Sequence, residues 1–186
     1  INELGFDTYN KILDEALSDV EKNDNRFKRE GIKKIKTSIN CLIDPYEKAV
    51  IPKNYIQNSE ERLRIYGFIE EMSKKGSFKK IKNNLKDRFG PLPAEVKGLI
   101  KSMKIKRLGA DLNIDKITIR ENALKFVFFK TKSEKEKNNT FSLLLNLFNS
   151  ENHKYTVIER NNQIIIKLLG SLNLEKTLTL LKKINN

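Results

Sequence analysis

Side chains that carry metal-binding or nucleophilic chemistry are scarce in this sequence. The chain of 186 residues has no Trp, one Cys and one His, at Cys41 and His153. A single cysteine excludes an internal disulfide and a zinc site built on paired thiolates, and it fits a reducing compartment. A single histidine excludes a metal site that needs two imidazoles. We therefore expect this chain to bind no metal ion and no cofactor.

Long apolar runs are also missing. The composition is 38% hydrophobic and 33% charged, and no segment reaches the roughly 20 apolar residues that a membrane-spanning helix needs. The sequence begins at Ile1, and the basic, apolar and small residues of a signal peptide do not follow it. We therefore expect a soluble, cytoplasmic module of a larger protein, without a membrane partner.

The 8 glycines do not form a phosphate-binding loop, because none of them lies in the pattern G-x-x-x-x-G-K-[ST]. Two pairs of neighbouring carboxylates occur, at Glu60-Glu61 and Glu70-Glu71. Adjacent residues of a helix point in different directions, so neither pair suits acid–base catalysis. We therefore predict that the chain is not an enzyme.

Charge is distributed unevenly along the chain, whose formal net charge is +13. Residues 1–24 carry two basic and seven acidic side chains, whereas residues 25–110 carry 22 basic and nine acidic ones. A basic field of this kind favours nucleic acid or acidic protein partners. The abundance of Lys, Asn and Ile is also what an A/T-rich genome produces, so the charge alone assigns no partner.

The charge break coincides with a change in hydrophobic pattern. Helical spacing of apolar residues predicts an amphipathic helix from Phe6 to about Lys22, and the pattern then fades as in a linker. We therefore predict a lead-in helix within residues 1–24 and one domain over residues 25–186. In that domain, alternation over residues 35–43 predicts the first strand.

Three helices are predicted in the middle of the chain. Ser59 is placed to cap the first helix and Gly76 to end it, while Ser77 is placed to cap the second. Gly90 falls just after the second helix, where a positive φ costs least without a side chain. Pro93 lies near the start of the third helix, where the missing amide proton is not needed.

The last third of the chain has two strand–strand–helix units. Strands are predicted at 114–120, 123–129, 155–160 and 163–168, and helices at 133–149 and 173–184. Together with the three preceding helices, this order of elements predicts an α+β fold. We expect an antiparallel sheet with packed helices, preceded by the lead-in helix.

Two rows of lysine follow the helical repeat on the second and third predicted helices. Such rows can contact phosphates and release counterions. Single-strand binding would also need aromatic side chains for base stacking, but Trp is absent and most Phe and Tyr occupy core positions. We favour a solvated surface here, and an accessory DNA-binding module is the alternative. The rows are Lys79, Lys82 and Lys86, and Lys97, Lys101 and Lys104.

Four motifs occur in a characteristic order along the chain: Leu4–Tyr9 (LGFDTY), Ala49–Ile56 (AVIPKNYI), Glu61–Tyr66 (ERLRIY) and Asp87–Pro93 (DRFGPLP). Their order and spacing resemble the C-terminal region of the bacterial transcription-repair coupling factor family (Mfd), where it forms the TRCF domain. The resemblance extends over residues 3–113, while the remaining residues agree only in pattern.

The resemblance implies a function for the parent protein. Members of this family are ATP-dependent DNA translocases that displace stalled RNA polymerase and recruit UvrA for nucleotide excision repair of DNA damage. ATP and Mg would bind the motor domains, and residues 1–24 would be the end of that translocase module. The C-terminal domain would be a non-catalytic, autoinhibitory regulator. It would contact the UvrB-like N-terminal module directly, and UvrA, RNA polymerase and DNA only indirectly.

The resemblance also implies an inter-domain interface around the D-R-F-G turn, formed here by Asn84, Asp87 and Arg88. The family usually has Glu where this chain has Asn84. An amide can still accept a hydrogen bond, but it loses an ion-pair contribution of roughly 0–1 kcal/mol. The alternative is a purely structural role, with Phe89 in the core and Arg88 serving the helix end.

Overall fold

The computed structural model describes residues 41–129, 134–160 and 162–185. The predicted lead-in helix, the linker and most of the predicted first strand lie outside these residues. From residue 59 onward the elements match the predicted ones to within two residues. They are β1 (Leu42–Asp44), α1 (Ser59–Lys74), α2 (Phe78–Phe89), α3 (Ala94–Asp111), β2 (Lys116–Arg120), β3 (Ala123–Phe129), α4 (Glu134–Ser150), β4 (Tyr155–Arg160), β5 (Gln163–Leu169) and α5 (Leu174–Asn185).

The five strands form one sheet in the order β1-β2-β3-β5-β4, which confirms the α+β fold. The four strands after residue 114 pair antiparallel, as predicted. Strand β1 pairs with β2 in parallel, with Ile43 opposite Ile117, so the sheet as a whole is mixed. The three intervening helices provide the long crossover that a parallel pair requires.

The ends of the first two helices differ in detail from the sequence prediction. The N-cap of α1 is Asn58 and not Ser59, because the Asn58 side chain accepts a hydrogen bond of 2.8 Å from the Glu61 amide. Ser59 is buried instead. Ser77 occupies the N-cap of α2, although its side chain makes no capping hydrogen bond within the described chain.

The C-terminal end of α1 is closed by a glycine and by an arginine from another helix. Gly76 has φ +70°, as expected for a residue that follows a helix. Arg107 of α3 donates from Nη1 to the carbonyl oxygens of Ser73 and Lys74, at 3.0 and 2.6 Å. These are carbonyls that a helix leaves without an internal partner. Arg107 therefore ties the end of α1 to α3.

Two apolar cores lie along the chain, and α3 contributes to both. One core joins the sheet to α4, to α5 and to the C-terminal half of α3 with the residue that follows it, including Ile105 and Leu112. The other joins α1, α2 and the loop before α1 to the N-terminal half of α3, including Val96 and Ile100. A single continuous helix thus connects the sheet with the helical cluster.

The backbone of α3 lies directly against its neighbours at two glycines. A β-carbon at Gly109 would lie 2.5 Å from Cys41 Sγ and 2.9 Å from the Ile117 side chain. A β-carbon at Gly98 would lie 2.8 Å from the Lys48 carbonyl oxygen. Both positions therefore exclude any larger residue without a shift of the surrounding chain.

The loop before α1 is held by two side chains of that helix. The segment 49–52, expected to be extended, forms no strand within the described chain. Buried Arg62 donates to the carbonyl oxygens of Ile56 and Gln57, at 2.8 Å each. The Tyr66 hydroxyl accepts a hydrogen bond of 2.8 Å from the Ile51 amide.

Among the described helices, none is long and apolar enough to cross a membrane.

The Gly109 contact predicts a large stability effect for a small change. We expect Gly109→Ala to lower the free energy of unfolding by about 1–3 kcal/mol, because the new methyl group overpacks the junction of α3 with β1 and β2. Gly67→Ala is the matched control. A methyl group added at that site in α1 would meet no heavy atom of another element within 4 Å, so alanine should stabilise by up to about 1 kcal/mol. Urea denaturation of both variants measures the difference, and equal effects would contradict the close approach.

Candidate inter-domain interface

The turn between α2 and α3 is held from one side by a tyrosine. The Tyr55 hydroxyl donates to the Leu85 carbonyl oxygen at 3.0 Å and lies 3.2 Å from that of Gly90. These carbonyls belong to the end of α2 and the residue after it. Gly90 has φ +83°, and its amide donates to the Lys86 carbonyl oxygen at 2.9 Å. The backbone role predicted for Gly90 is thus confirmed.

Arg88 ties the end of α2 to the first turn of α1. Its guanidinium forms an ion pair with the Glu61 carboxylate and lies 4.9 Å from the centroid of the Phe89 ring. The Phe89 ring in turn meets the Tyr55 ring edge-on, with the centroids 5.9 Å apart. Arg88 therefore serves the helix end, and its predicted interface role stays a prediction.

Asp87 is exposed in the last turn of α2. It has no hydrogen-bond or ion-pair partner among the described residues. The C-terminal end of a helix carries a partial negative charge, which disfavours a carboxylate and favours cations such as Lys86 and Arg88. The local structure thus gives this carboxylate no stabilising contact and leaves it open to an external cation.

Asn84 lies one turn before Asp87 on the same helix. Its Oδ1 atom is buried and has no hydrogen-bond partner in the described part of the chain. In this conformation the amide oxygen lies inside the fold, and the acceptor role expected for Asn84 at an interface stays a prediction. Leaving a buried polar atom unpaired costs about 1–3 kcal/mol, so Asn84 is not explained by local stability.

The lysine rows are only partly free on the surface. Lys79, Lys82, Lys86 and Lys97 are exposed. Lys101 instead forms an ion pair of 2.5 Å with Glu175 of α5. The Lys104 ammonium lies 5.3 Å from the centroid of the Phe78 ring.

The fold brings Lys182 close to these rows, to which helical spacing along the sequence does not assign it. Burial, followed by the positive charges of Lys82 and Lys182, lowers the pKa of the Lys104 ammonium below its usual value. Lys182 belongs to α5, so side chains from three helices act on one another. In the sequence, the feature that points to Lys182 is its spacing from Glu175. The two residues lie seven positions apart and therefore near one face of α5.

The described side chains form no catalytic constellation. No group of three His, Cys, Asp or Glu residues that could hold a metal ion occurs among them. Cys41 is fully buried, and burial raises the pKa of its thiol to about 12, so it stays protonated and unreactive at neutral pH. His153 lies on the surface, with Nε2 3.1 Å from the Glu151 carboxylate.

Comparison with known proteins places the turn between α2 and α3 inside a known domain family. The model of the TRCF domain family matches residues 47–139, which include Asn84, Asp87 and Arg88. A solved structure described as the crystal structure of the C-terminal domain of transcription-repair coupling factor superposes with a TM-score of 0.62 at 18% identity. The superposition covers 80% of this chain and 96% of that one, so the two share a fold.

Transcription-repair-coupling factors are also similar in sequence. That of Rickettsia bellii is 30% identical over 133 residues, which are 70% of this chain and 11% of that protein. That of Borreliella burgdorferi is 29% identical over 136 residues, which are 69% of this chain and 10% of that protein. That of Rickettsia prowazekii is 26% identical over 175 residues, which are 94% of this chain and 14% of that protein. The chain thus spans about a tenth of the length of these relatives.

The Tyr55 contacts predict that the stability of the turn between α2 and α3 depends on one hydroxyl group. We expect Tyr55→Phe to lower the free energy of unfolding by about 1 kcal/mol, because the hydrogen bonds to the α2 end are lost while the ring still packs on Phe89. Tyr46→Phe is the control, since Tyr46 is 51% exposed and should change stability little. Chemical denaturation compares the two, and an equal, small effect for both would contradict the role of Tyr55.

Proposed function

This chain belongs to the TRCF domain family, and we propose that it is the autoinhibitory domain of a transcription-repair coupling factor. In this proposal the domain itself catalyses nothing. It contacts the UvrB-like N-terminal module of the same protein, masks the surface that binds UvrA and restrains the ATP-dependent motor. Engagement of stalled RNA polymerase on DNA releases the contact and permits excision repair.

The unpaired carboxylate of Asp87 is the observation that supports this proposal. Stability alone would favour a neutral or basic residue at this helix end. An acidic residue without a partner among the described residues is better explained by a cation on another surface. A locally unfavourable residue of this kind is typical of a functional site.

The surroundings of Asp87 suit a docking contact because they are held in place before the partner arrives. Tyr55, Arg88 and Phe89 fix the last turn of α2 from the loop side and from α1. A preorganised group loses less conformational freedom when it binds. The backbone around the carboxylate is thus positioned before any contact with a basic residue forms.

The expected strength of the contact suits a reversible lock. One exposed ion pair contributes roughly 0–1 kcal/mol, and Asn84 adds no second charge beside Asp87. A weak contact can be released by a competing interaction elsewhere in the protein. A strong, buried ion pair would hold the regulator closed.

Asp87→Asn tests the proposal through two opposite effects. We expect affinity for the UvrB-like module to fall by up to about fivefold, the equivalent of roughly 1 kcal/mol. We expect the stability of the isolated chain to rise by a few tenths of a kcal/mol, because the unfavourable charge at the helix end is gone. Calorimetric titration and chemical denaturation measure these two quantities.

Glu121→Gln is the matched control for this change. It removes one exposed carboxylate from the β2–β3 turn, far along the chain from the interface, and it should leave affinity unchanged. In the complete protein, Asp87→Asn should raise the ATPase rate and UvrA binding in the direction produced by deleting residues 25–186. An autoinhibitory role would be contradicted if the ATPase rate and UvrA binding stayed unchanged in both the variant and the deletion.

Asn84→Glu should act in the opposite direction. A longer, charged side chain one turn before Asp87 can reach solvent and supply the carboxylate that the family usually has. We expect affinity for the UvrB-like module to rise by up to about fivefold at low salt and by less at high salt. Asn83→Glu, an exposed neighbour, controls for added charge alone. An equal gain for both variants would assign the effect to net charge.

A further inference from the structure

Three helices bring lysine side chains together on a surface that the proposed regulatory contact does not use. Lys104 of α3 lies over the ring of Phe78, which begins α2. Lys82 follows Phe78 by four residues, so the two share one face of α2. The packing of Lys104 on Phe78 therefore places its ammonium beside Lys82.

The third helix enters through an ion pair. Lys101, one turn before Lys104 on α3, contacts Glu175 of α5 at 2.5 Å. Lys182 follows Glu175 by two turns on α5, which places it on a similar face of that helix. The ion pair thus turns the face that carries Lys182 toward α3.

The positive charges of this cluster are only partly balanced by acidic side chains. Glu175 is the acidic member, and Lys101 already engages it. Burial and the charges of Lys82 and Lys182 lower the pKa of Lys104, while Glu175 only partly opposes them. The four lysines Lys82, Lys101, Lys104 and Lys182 thus share one carboxylate, and the excess of positive charge favours an anionic ligand.

We propose that Lys82, Lys104 and Lys182 form a binding site for the phosphates of double-stranded DNA. Lysine ammonium groups bind phosphates as point charges. Lys79 and Lys86 continue the row on α2 by one turn in each direction, a spacing of about 5–6 Å. DNA presents phosphates at regular short intervals, about 3.4 Å of axis per strand. A row of cations can therefore run along a row of anions, although the two spacings differ.

The aromatic residues favour a duplex over a single strand. Base stacking requires exposed rings between the basic side chains. The Phe78 ring is covered by Lys104. The exposed aromatic side chains of the described chain are Tyr46 and Phe129, which lie in the loop after β1 and in β3. The lysine cluster can therefore contact a phosphate backbone but offers no platform for bases.

This site is separable from the regulatory contact. At about 100° per residue, Asp87 lies roughly 140° around α2 from Lys82, so the two side chains point to different surroundings. The proposal therefore goes beyond the autoinhibitory function and does not depend on it. Loss of one contact leaves the other measurable.

The test uses the 186-residue chain and a fluorescein-labelled duplex of about 20 base pairs, with anisotropy titrations between about 50 and 200 mM salt. Substitution of Lys82, Lys104 and Lys182 by Gln should weaken binding at least about tenfold at the lower salt. It should also reduce the slope of log affinity against log salt by about 2–3, since each phosphate contact contributes about 0.9. The same three changes to Arg keep the charges and should preserve binding.

The matched control removes three lysines from the sheet face that points away from the helices: Lys116, Lys125 and Lys167. Its change in net charge is the same, and we expect less than about a threefold loss. Because Lys104 packs on Phe78, its replacement could also disturb the fold. The double variant at Lys82 and Lys182 keeps that contact, and it should still lose more DNA affinity than the control. Equal losses in the two sets would overturn the site. Absence of duplex binding at the lower salt, or equally tight binding of poly-glutamate, would overturn the assignment to DNA.

Discussion

The close approach of helix α3 to strand β2, to the residue before β1 and to the loop before α1 is the constraint on which the rest of this structure depends. Gly109 lets the helix backbone lie against Cys41 and Ile117, and Gly98 lets it lie against the Lys48 carbonyl. Because α3 belongs to both apolar cores, these contacts fix the position of the helical cluster relative to the sheet. A bulkier residue at either glycine would push the helix away from the segments that it joins.

The proposed regulatory turn inherits its geometry from that arrangement. Arg62 and Tyr66 of α1 hold the loop that carries Tyr55, and Tyr55 in turn holds the end of α2. Arg88 closes the same end against α1. Asp87 therefore occupies a defined position although its own carboxylate contacts nothing described. Its neighbours stabilise the backbone, and the charge remains available for recognition.

Helix α2 carries the acidic Asp87 and the basic Lys82 on different faces. Asp87 lies near its C-terminal end, whereas Lys82 faces the Phe78 and Lys104 contact. Neither charge stabilises its surroundings, since Asp87 opposes the helix dipole and Lys82 adds to the repulsion around Lys104. The α2 surface thus carries two locally unfavourable charges. Each of the two proposed partners would supply an opposite charge: a basic partner domain for Asp87, and a DNA duplex for Lys82 and its neighbours.

The sequence by itself determined the helices, the hairpin strands and the Gly90 turn, because apolar spacing and φ preferences act over a few residues. It also contained four ordered motifs, the last of them Asp87–Pro93, that carry the resemblance to the family. Only the tertiary structure decided that β1 pairs in parallel, that Arg62 is buried, that Asn84 turns its oxygen inward and that Lys182 joins Lys82 and Lys104. Those features arise between residues far apart in the chain, whose contacts depend on how α3 packs and not on local periodicity.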